Sequence, residues 1–422
     1  MKIAIVGLWH LGTITSLCLS KIGHKIEAYD EDKKLIENFN KKNPPITEPG
    51  VQKLLNLQID KNLSFNSKLK DLVNHKIVWI CFDTKINDKD ISDEILLFQK
   101  IKKILQFVKK GSIILISSQL SLGTIKKLEL FDNLYFKKKL IFVYIPENLR
   151  LGKSIKLFLK PERMVIGIRD NSIYKNKIYK VLKKINCKKY LVSPETAEIS
   201  KHVINSFLAC SISFINEISQ IAKIYKVDFN DLQNCIKSDR RLGKYSYLTP
   251  GTPFSGGTLA RDLNFLNKIS NKYKTNNILI NSIYKSNNMH SMWVKNILKK
   301  YIKSKKTTIL QIGLGYTNNS STLRRSFPFQ IFKYINKKCS VKIFDEYIRI
   351  NSKEADKYKN NFIKINQKKQ KNVFNIILIF SKLKNNTLIN KLKLKKSLII
   401  DVNSENKRFF NNNRLNYISY EI

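Results

Sequence analysis

The chain has 422 residues, 43% of them hydrophobic, enough for two or three cores, because a single core stops growing at roughly 250–300 residues. Its net charge of +46 and pI near 9.9 leave a polyanionic partner open, but the lysine excess runs through the whole sequence with asparagine and isoleucine, as a coding bias would spread it, and no aromatic-interleaved basic stripe accompanies it. No run of about 18 uncharged apolar residues suggests a membrane-spanning helix, and Met1 leads straight into a strand pattern without a separate leader-like region.

Residues 1–190 alternate short apolar runs with lysine-rich amphipathic stretches. The runs include Ile3–Val6, Ile26–Tyr29, Ile77–Phe82, Ile113–Ile116, Leu140–Tyr144 and Met164–Ile168. Runs of this length separated by helical segments predict buried parallel strands in βαβ units. Ser193-Pro194 then reads as an N-cap followed by proline at the first helical position. After it, Ile199, Val203, Phe207, Cys210, Phe214, Ile218, Ile221 and Tyr225 recur at spacings of three and four. That stripe predicts one helix of about 30 residues, suited to a domain or dimer spine. A polar stretch at Lys303–Lys306 reads as a linker. The runs Thr307–Ile312, Val341–Phe344, Asn375–Phe380 and Ser397–Val402 predict a second, smaller α/β unit.

The expected fold class is α/β: two Rossmann-like parallel-sheet domains joined by a long central helix and a helical dimerisation domain. The expected domains are 1–190, 191–300 and 301–422. Six cysteines, at 18, 81, 187, 210, 235 and 339, include no CxxC pair and no zinc-spaced Cys/His cluster. They read as small buried hydrophobes of a metal-free, cytoplasmic protein.

Gly7-Leu8-Trp9-His10-Leu11-Gly12 joins the first strand to a helix, the context of the dinucleotide fingerprint G-x-G-x-x-G. Trp9 replaces the middle glycine, so its ring must point away from any cofactor. Asp30 ends the second strand, where an acid accepts from the adenosine ribose and favours NAD over NADP. A tight strand–helix turn with a solvated aspartate is the other reading of the same residues.

Eight further segments occur in order. They are Pro45-Ile46-Thr47-Glu48-Pro49-Gly50, Cys81-Phe82-Asp83-Thr84, Pro146-Glu147-Asn148-Leu149-Arg150-Leu151-Gly152, Pro161-Glu162-Arg163-Met164-Val165-Ile166-Gly167, Ala197 through Asn205, Phe214-Ile215-Asn216-Glu217, Asp239-Arg240-Arg241-Leu242-Gly243, and Pro250 through Asp262. Together they resemble the UDP-glucose/GDP-mannose dehydrogenase family, which oxidises a sugar C6 hydroxyl to a carboxylate. The resemblance implies NAD as cofactor, a nucleotide sugar (a UDP-sugar foremost) as substrate, and a homodimer. It implies a catalytic set of Lys201, Asn205, Asp262, Glu147 and Thr258. It implies cofactor contacts at Gly7, Trp9, Leu11, Gly12, Asp30, Thr84, Gln119, Arg261 and Arg324. Substrate contacts would be Glu147, Lys201, Asn205, Arg241, Tyr247, Gly251 and Ser255.

The residues themselves fit that chemistry. Glu198, Lys201 and Asn205 lie at i, i+3 and i+7 on one helix face. Lys201 offers a cation and Asn205 an N–H donor to an oxyanion; a solvated face of a lysine-rich helix is the alternative. Asp262 would set the protonation state of Lys201 or of a water. Glu147 reads either as the acid that steers water or as a carboxylate at a helix N-terminus. Arg241 reads as a reach across a dimer to the sugar, or as a surface charge.

Several positions depart from the family. Its loop G-F-G-G-S-C-F-P-K-D stands here as Pro253-Phe254-Ser255-Gly256-Gly257-Thr258-Leu259-Ala260-Arg261-Asp262, so the nucleophilic cysteine is Thr258. Gln119 stands where a threonine helps activate the reacting group, Thr317 where a lysine meets the nucleotide sugar, and Asn403 where an arginine does. The expectation is NAD-dependent oxidation of the C6 primary alcohol that either stops at the aldehyde or continues through a hydrated gem-diol, with Glu147 steering water. A homologue that binds without catalysis is the second reading, and a charge-driven nucleic-acid binder a distant third.

Overall fold

The chain's backbone contacts gather into two units, Met1–Val203 and Ile204–Ile422. The computed structural model describes all residues except 47, 85–92, 148, 151, 170, 171, 244, 256, 257, 316–322, 324, 346, 347, 349–352, 364–372, 384–386, 391, 393, 395, 396, 411–415 and 420–422.

In the first unit the apolar runs become strands. β1 (Lys2–Val6), β2 (Lys25–Tyr29), β3 (Leu63–Asn66), β4 (Ile77–Ile80), β5 (Ile113–Ile116), β6 (Ile141–Tyr144), β7 (Arg163–Ile168) and β8 (Lys188–Val192) form one sheet in the order β3-β2-β1-β4-β5-β6-β7-β8. All neighbours are parallel except β6 and β7. The order β3-β2-β1-β4-β5-β6 is that of a dinucleotide-binding fold, and it reverses between β1 and β4. Strands such as Ile113–Ile116 are buried at every residue because helices cover both faces. One face buries Ile3, Ile5 and Leu115 under helix α1 (His10–Lys21); the other buries Val6, Ile80 and Ile116. Each such side chain contributes roughly 1.5–3 kcal/mol. The edge strands β3 and β8 are absent from the list of apolar runs, because half-solvated edges carry polar residues such as Ser64, Asn66, Lys188 and Lys189.

Helix α2 (Thr124–Phe131) starts on a carboxylate from a distant segment. Glu198 is fully buried and accepts from Gly123 N at 2.5 Å and Ile125 N at 2.7 Å. Burial raises its pKa while these two donors oppose the rise. Glu198 belongs to helix α3 (Pro194–Ile224), 31 residues long. Ser193 Oγ accepts from Thr196 N at 3.1 Å, so serine and proline start α3 as the sequence indicates. The buried side of α3 is Ala197, Ala209, Ile215 and Ala222, whereas Phe207, Phe214 and Ile221 of the predicted stripe are 70%, 56% and 54% exposed.

The second unit carries a five-stranded, fully parallel sheet of order β10-β9-β11-β12-β13, with β9 Thr308–Ile312, β10 Ser340–Phe344, β11 Ile376–Ile379, β12 Leu398–Asp401 and β13 Asn416–Ser419. Gly313 follows β9 with φ +90°, and its N–H bonds Phe344 O at 2.9 Å. Asp345, after β10, accepts from Leu314 N at 2.7 Å. Two more helices of this unit matter below, α4 (Leu259–Lys272) and α5 (Phe327–Ile335).

Replacing Glu198 by Ala strips two backbone donors of their acceptor. Urea unfolding should show a loss of about 2–4 kcal/mol, and a loss below about 1 kcal/mol would mean that α2 starts without this carboxylate.

Candidate active site

The first unit builds its site from the β1 turn. Gly7 has φ +92°, a conformation open to glycine, and its N–H bonds Tyr29 O at 2.9 Å. At Gly12 an added Cβ would sit 1.7 Å from Gly7 O, so the helix can pack on the turn only without a side chain there. Leu8 N donates to Asp30 Oδ2 at 2.8 Å, Asp32 N to Asp30 Oδ1 at 3.1 Å, and Thr13 Oγ1 to Leu8 O at 2.9 Å. Asp30 thus fastens the turn with one lone pair on each oxygen and keeps the others. Trp9 has φ −75° and is 55% exposed. The turn needs glycine at 7 and 12 for its own backbone, but not at 9. A glycine turn, a helix N-terminus and a half-buried acid at the end of β2 fit a dinucleotide.

Around this turn stand groups that the spacing of motifs did not join. His10 Nε2 lies 3.0 Å from Glu48 Oε2, a carboxylate 8% exposed as a residue, and 3.3 Å from Ser154 Oγ. Ser154 N donates to Glu48 Oε1 at 3.2 Å. These residues are 38 to 144 positions apart in sequence, so only the fold reveals the contact. Thr84 Oγ1 donates to Gln119 O at 3.3 Å, which ties the ends of β4 and β5 together.

Lys201, 8% exposed on α3, places Nζ 2.6 Å from Glu147 Oε1. Glu147 Oε2 accepts from Leu149 N at 2.7 Å. The following helix begins only at Ser154, so Glu147 is not the helix N-terminal carboxylate that one reading of the sequence allowed. It is the counter-charge of a buried lysine.

In the second unit Asp262 is fully buried in the first turn of α4. Asn205 Nδ2 donates to Asp262 Oδ2, and Arg261 Nε to Oδ1 at 3.3 Å. Thr258 is the exposed N-cap residue of α4, and its hydroxyl makes no capping bond. Tyr247, Gly251 and Ser255 all line one cavity of about 430 Å³, together with Thr252, Gly315 and Asn403. Gly251 is held from both sides: its N–H donates to Asn216 Oδ1 at 3.0 Å, and its carbonyl lies 2.6 Å from His290 Nε2. Asn403 Oδ1 accepts from Thr252 N at 3.0 Å, so this residue fastens the loop where a cation was expected in the family. Arg241 is 88% exposed at its side chain and pairs with its neighbour Asp239 at 2.7 Å. Arg324, Thr317, Gly256 and Gly257 lie outside the described residues.

The description "UDP-glucose/GDP-mannose dehydrogenase family, NAD binding domain" matches residues 1–186, and that family's central domain matches residues 195–289, together about two-thirds of the chain. UDP-glucose 6-dehydrogenase of Rickettsia prowazekii is 27% identical over 366 residues, covering 84% of this chain and 83% of that protein. Among solved structures, a UDP-glucose dehydrogenase from Pyrobaculum islandicum superposes with a TM-score of 0.81 at 18% identity, covering 99% of this chain and 96% of that one. The UDP-N-acetyl-mannosamine dehydrogenase Cap5O of Staphylococcus aureus gives 0.79 at 21%, covering 100% and 99%.

The turn separates its glycine positions by experiment. Gly12→Ala should cost at least about 3 kcal/mol or prevent folding, because backbone must move, while Trp9→Gly should change stability by under about 1 kcal/mol. Urea titration of both checks this, and equal effects would contradict the geometry.

Proposed function

The chain belongs to the UDP-glucose/GDP-mannose dehydrogenase family and is an NAD-dependent nucleotide-sugar dehydrogenase; from that premise we propose that it oxidises the C6 primary alcohol of a UDP-sugar such as UDP-glucose and releases the aldehyde. NAD, when bound, supplies the electron acceptor. The turn at Gly7 and Gly12 and the Asp30 carboxylate would hold the dinucleotide. Lys201 Nζ, kept in place by Glu147, is a fixed cation for the oxygen that gives up its proton. Asn205, one turn further along the same helix, has its amide oriented by Asp262 and offers a second donor.

The observation that carries the aldehyde reading is Thr258. The family's route to the acid uses a thiol that attacks the aldehyde carbon; the alternative route is a second oxidation of the hydrated aldehyde, with Glu147 steering water. A thiol is a few per cent ionised at neutral pH; a threonine hydroxyl is not. Thr258 heads α4, exposed, and the sequence resemblance matches it to the family's cysteine. None of the six cysteines falls in this loop.

A second reading, binding of cofactor and nucleotide sugar without turnover, draws on the 430 Å³ cavity, whose described lining has Glu405 and no lysine or arginine. The exposed apolar face of α3 (Phe207, Phe214 and Ile221) supports a homodimer, since a contiguous apolar face is stabilised by a partner. Among the described residues no helix is long and apolar enough to cross a membrane. The scattered free cysteines support a cytoplasmic enzyme, and a role in making precursors for a surface polysaccharide follows from the family resemblance alone.

Incubation with UDP-glucose and excess NAD should yield about one NADH per sugar and an aldehyde or its hydrate by mass, with Thr258→Cys raising the ratio toward two. A ratio near two for the natural chain would refute the aldehyde reading. Binding by calorimetry with no NADH from any UDP- or GDP-sugar would favour the second reading.

A further inference from the structure

Three polar side chains from distant segments meet at the head of α1. His10 is the first residue of that helix, on the turn that fits a diphosphate. Its Nε2 lies 3.0 Å from Glu48 Oε2 and 3.3 Å from Ser154 Oγ. Ser154 Oγ donates its own proton to Arg150 O at 2.9 Å, and a carboxylate only accepts. Both neighbours of Nε2 therefore accept, which assigns the ring proton to Nε2, shared between them. Glu48 has a side chain only 2% exposed, and its Oε1 accepts from Ser154 N at 3.2 Å. Ser154 is fully buried. Buried polar groups that satisfy one another keep single positions, because an unmade bond there costs the desolvation of the group.

The segment that ends in this knot carries Glu147. It leaves β6 at Tyr144 and reaches the short helix Ser154–Leu159. Near its start Glu147 holds Lys201 through Oε1 at 2.6 Å and Leu149 N through Oε2 at 2.7 Å. At its end Ser154 is held by Glu48 and His10. Leu149 and Ile155 pack on the same apolar core as Leu11 and Ile14 of α1. The backbone that presents Glu147 is thus fastened at one end to the lysine and at the other to the head of the cofactor helix.

We propose that His10 is a positioning residue that makes the Glu147 segment respond to the cofactor: when the first turn of α1 is occupied by a dinucleotide, His10, through Glu48 and Ser154, fixes the segment on which Glu147 meets Lys201. The inference rests on the reading of this turn as an NAD site and of Glu147 as part of the chemistry. It goes beyond them, since the role needs no contact between the imidazole and the cofactor. Two torsions separate the ring from the α1 backbone, so a shift of the helix head reaches Glu48 and Ser154 with little slack. Coupling of this kind runs through packed, hydrogen-bonded side chains between rigid elements.

The test combines calorimetry of ADP-ribose and NAD binding to the full chain with hydrogen exchange, read by mass spectrometry, of the amides from Leu149 to Ser154. In the natural chain either ligand should slow that exchange at least about fivefold. His10→Ala should bind both ligands within about threefold of the natural affinity, yet show under about twofold slowing. His10→Gln, which returns an N–H donor at similar reach, should restore the slowing. Ser154→Ala, which cuts the ring's link to the segment, should lose most of it and replaces His10→Ala if that variant does not fold. With UDP-glucose and NAD, His10→Ala should lower kcat about tenfold with little change in KM for NAD. Combined with Glu147→Gln it should cost nothing beyond Glu147→Gln alone, because the two act as one unit. The exchange arm needs no turnover, so it decides the inference whether or not NADH forms. Binding without slowing in the natural chain, equal slowing in His10→Ala, or losses that multiply in the double variant overturn the tie and leave the cofactor reading in place. Failure of every form to bind ADP-ribose or NAD overturns the cofactor reading, and the tie with it.

Discussion

A carbonyl oxygen 1.7 Å from where a side chain would begin is the constraint on which the cofactor end of this protein depends. Because Gly12 has no Cβ, α1 can start directly over the turn that Gly7 makes after β1. Because the turn is that tight, Leu8 N points at Asp30 and the ends of β1 and β2 are locked together. The start of α1 directly over the turn and the tie from Leu8 N to Asp30 both follow from this packing. Trp9 is tolerated because its φ of −75° is negative, so its backbone does not require glycine. The residue that departs from the fingerprint is the one the turn itself leaves free.

The candidate catalytic residues are organised by burial of charge. Lys201 and Asp262 are both buried, and each has a fixed companion: Glu147 for the lysine, Asn205 and Arg261 for the aspartate. An unpaired buried charge costs several kcal/mol, so these pairings hold the side chains in single positions. Thr258 stands outside this economy of charge, exposed and without a capping bond. The paired buried charges and the loop residue Thr258 are thus physically separate, and a change at position 258 leaves the pairings of Lys201 and Asp262 intact.

Sequence reading was most reliable where chemistry and periodicity coincide. Six apolar runs in the first half became strands because buried parallel strands are apolar at every position, and α3 begins at Pro194 because serine and proline write a helix start in two letters. The edge strands β3, β8 and β13 escaped because solvent on one side removes that signature. At the site, the motifs brought Lys201, Asn205, Asp262 and the turn residues to attention. The partners of those residues were not legible. Glu198 looked like part of a catalytic face, yet its carboxylate is spent starting α2. His10, Glu48 and Ser154 meet across more than a hundred residues, and Asn403 fastens a loop 151 residues away. Such contacts depend on where strands end in space, and no local spacing encodes that.

The second unit repeats the device of the first with other residues. A glycine at positive φ follows the first strand of each sheet, and an acid beyond the neighbouring strand captures the next amide: Asp30 takes Leu8 N, and Asp345 takes Leu314 N. A hydroxyl further along bonds back to the same residue's carbonyl, Thr13 in one case and Ser326, at the head of α5, in the other. Mutational drift in a lineage that favours lysine, asparagine and isoleucine can rewrite almost everything around these three atoms' worth of chemistry. What the halves share is a small knot of backbone geometry, so their likeness lies in where amides, an acid and a hydroxyl meet and not in the letters between them.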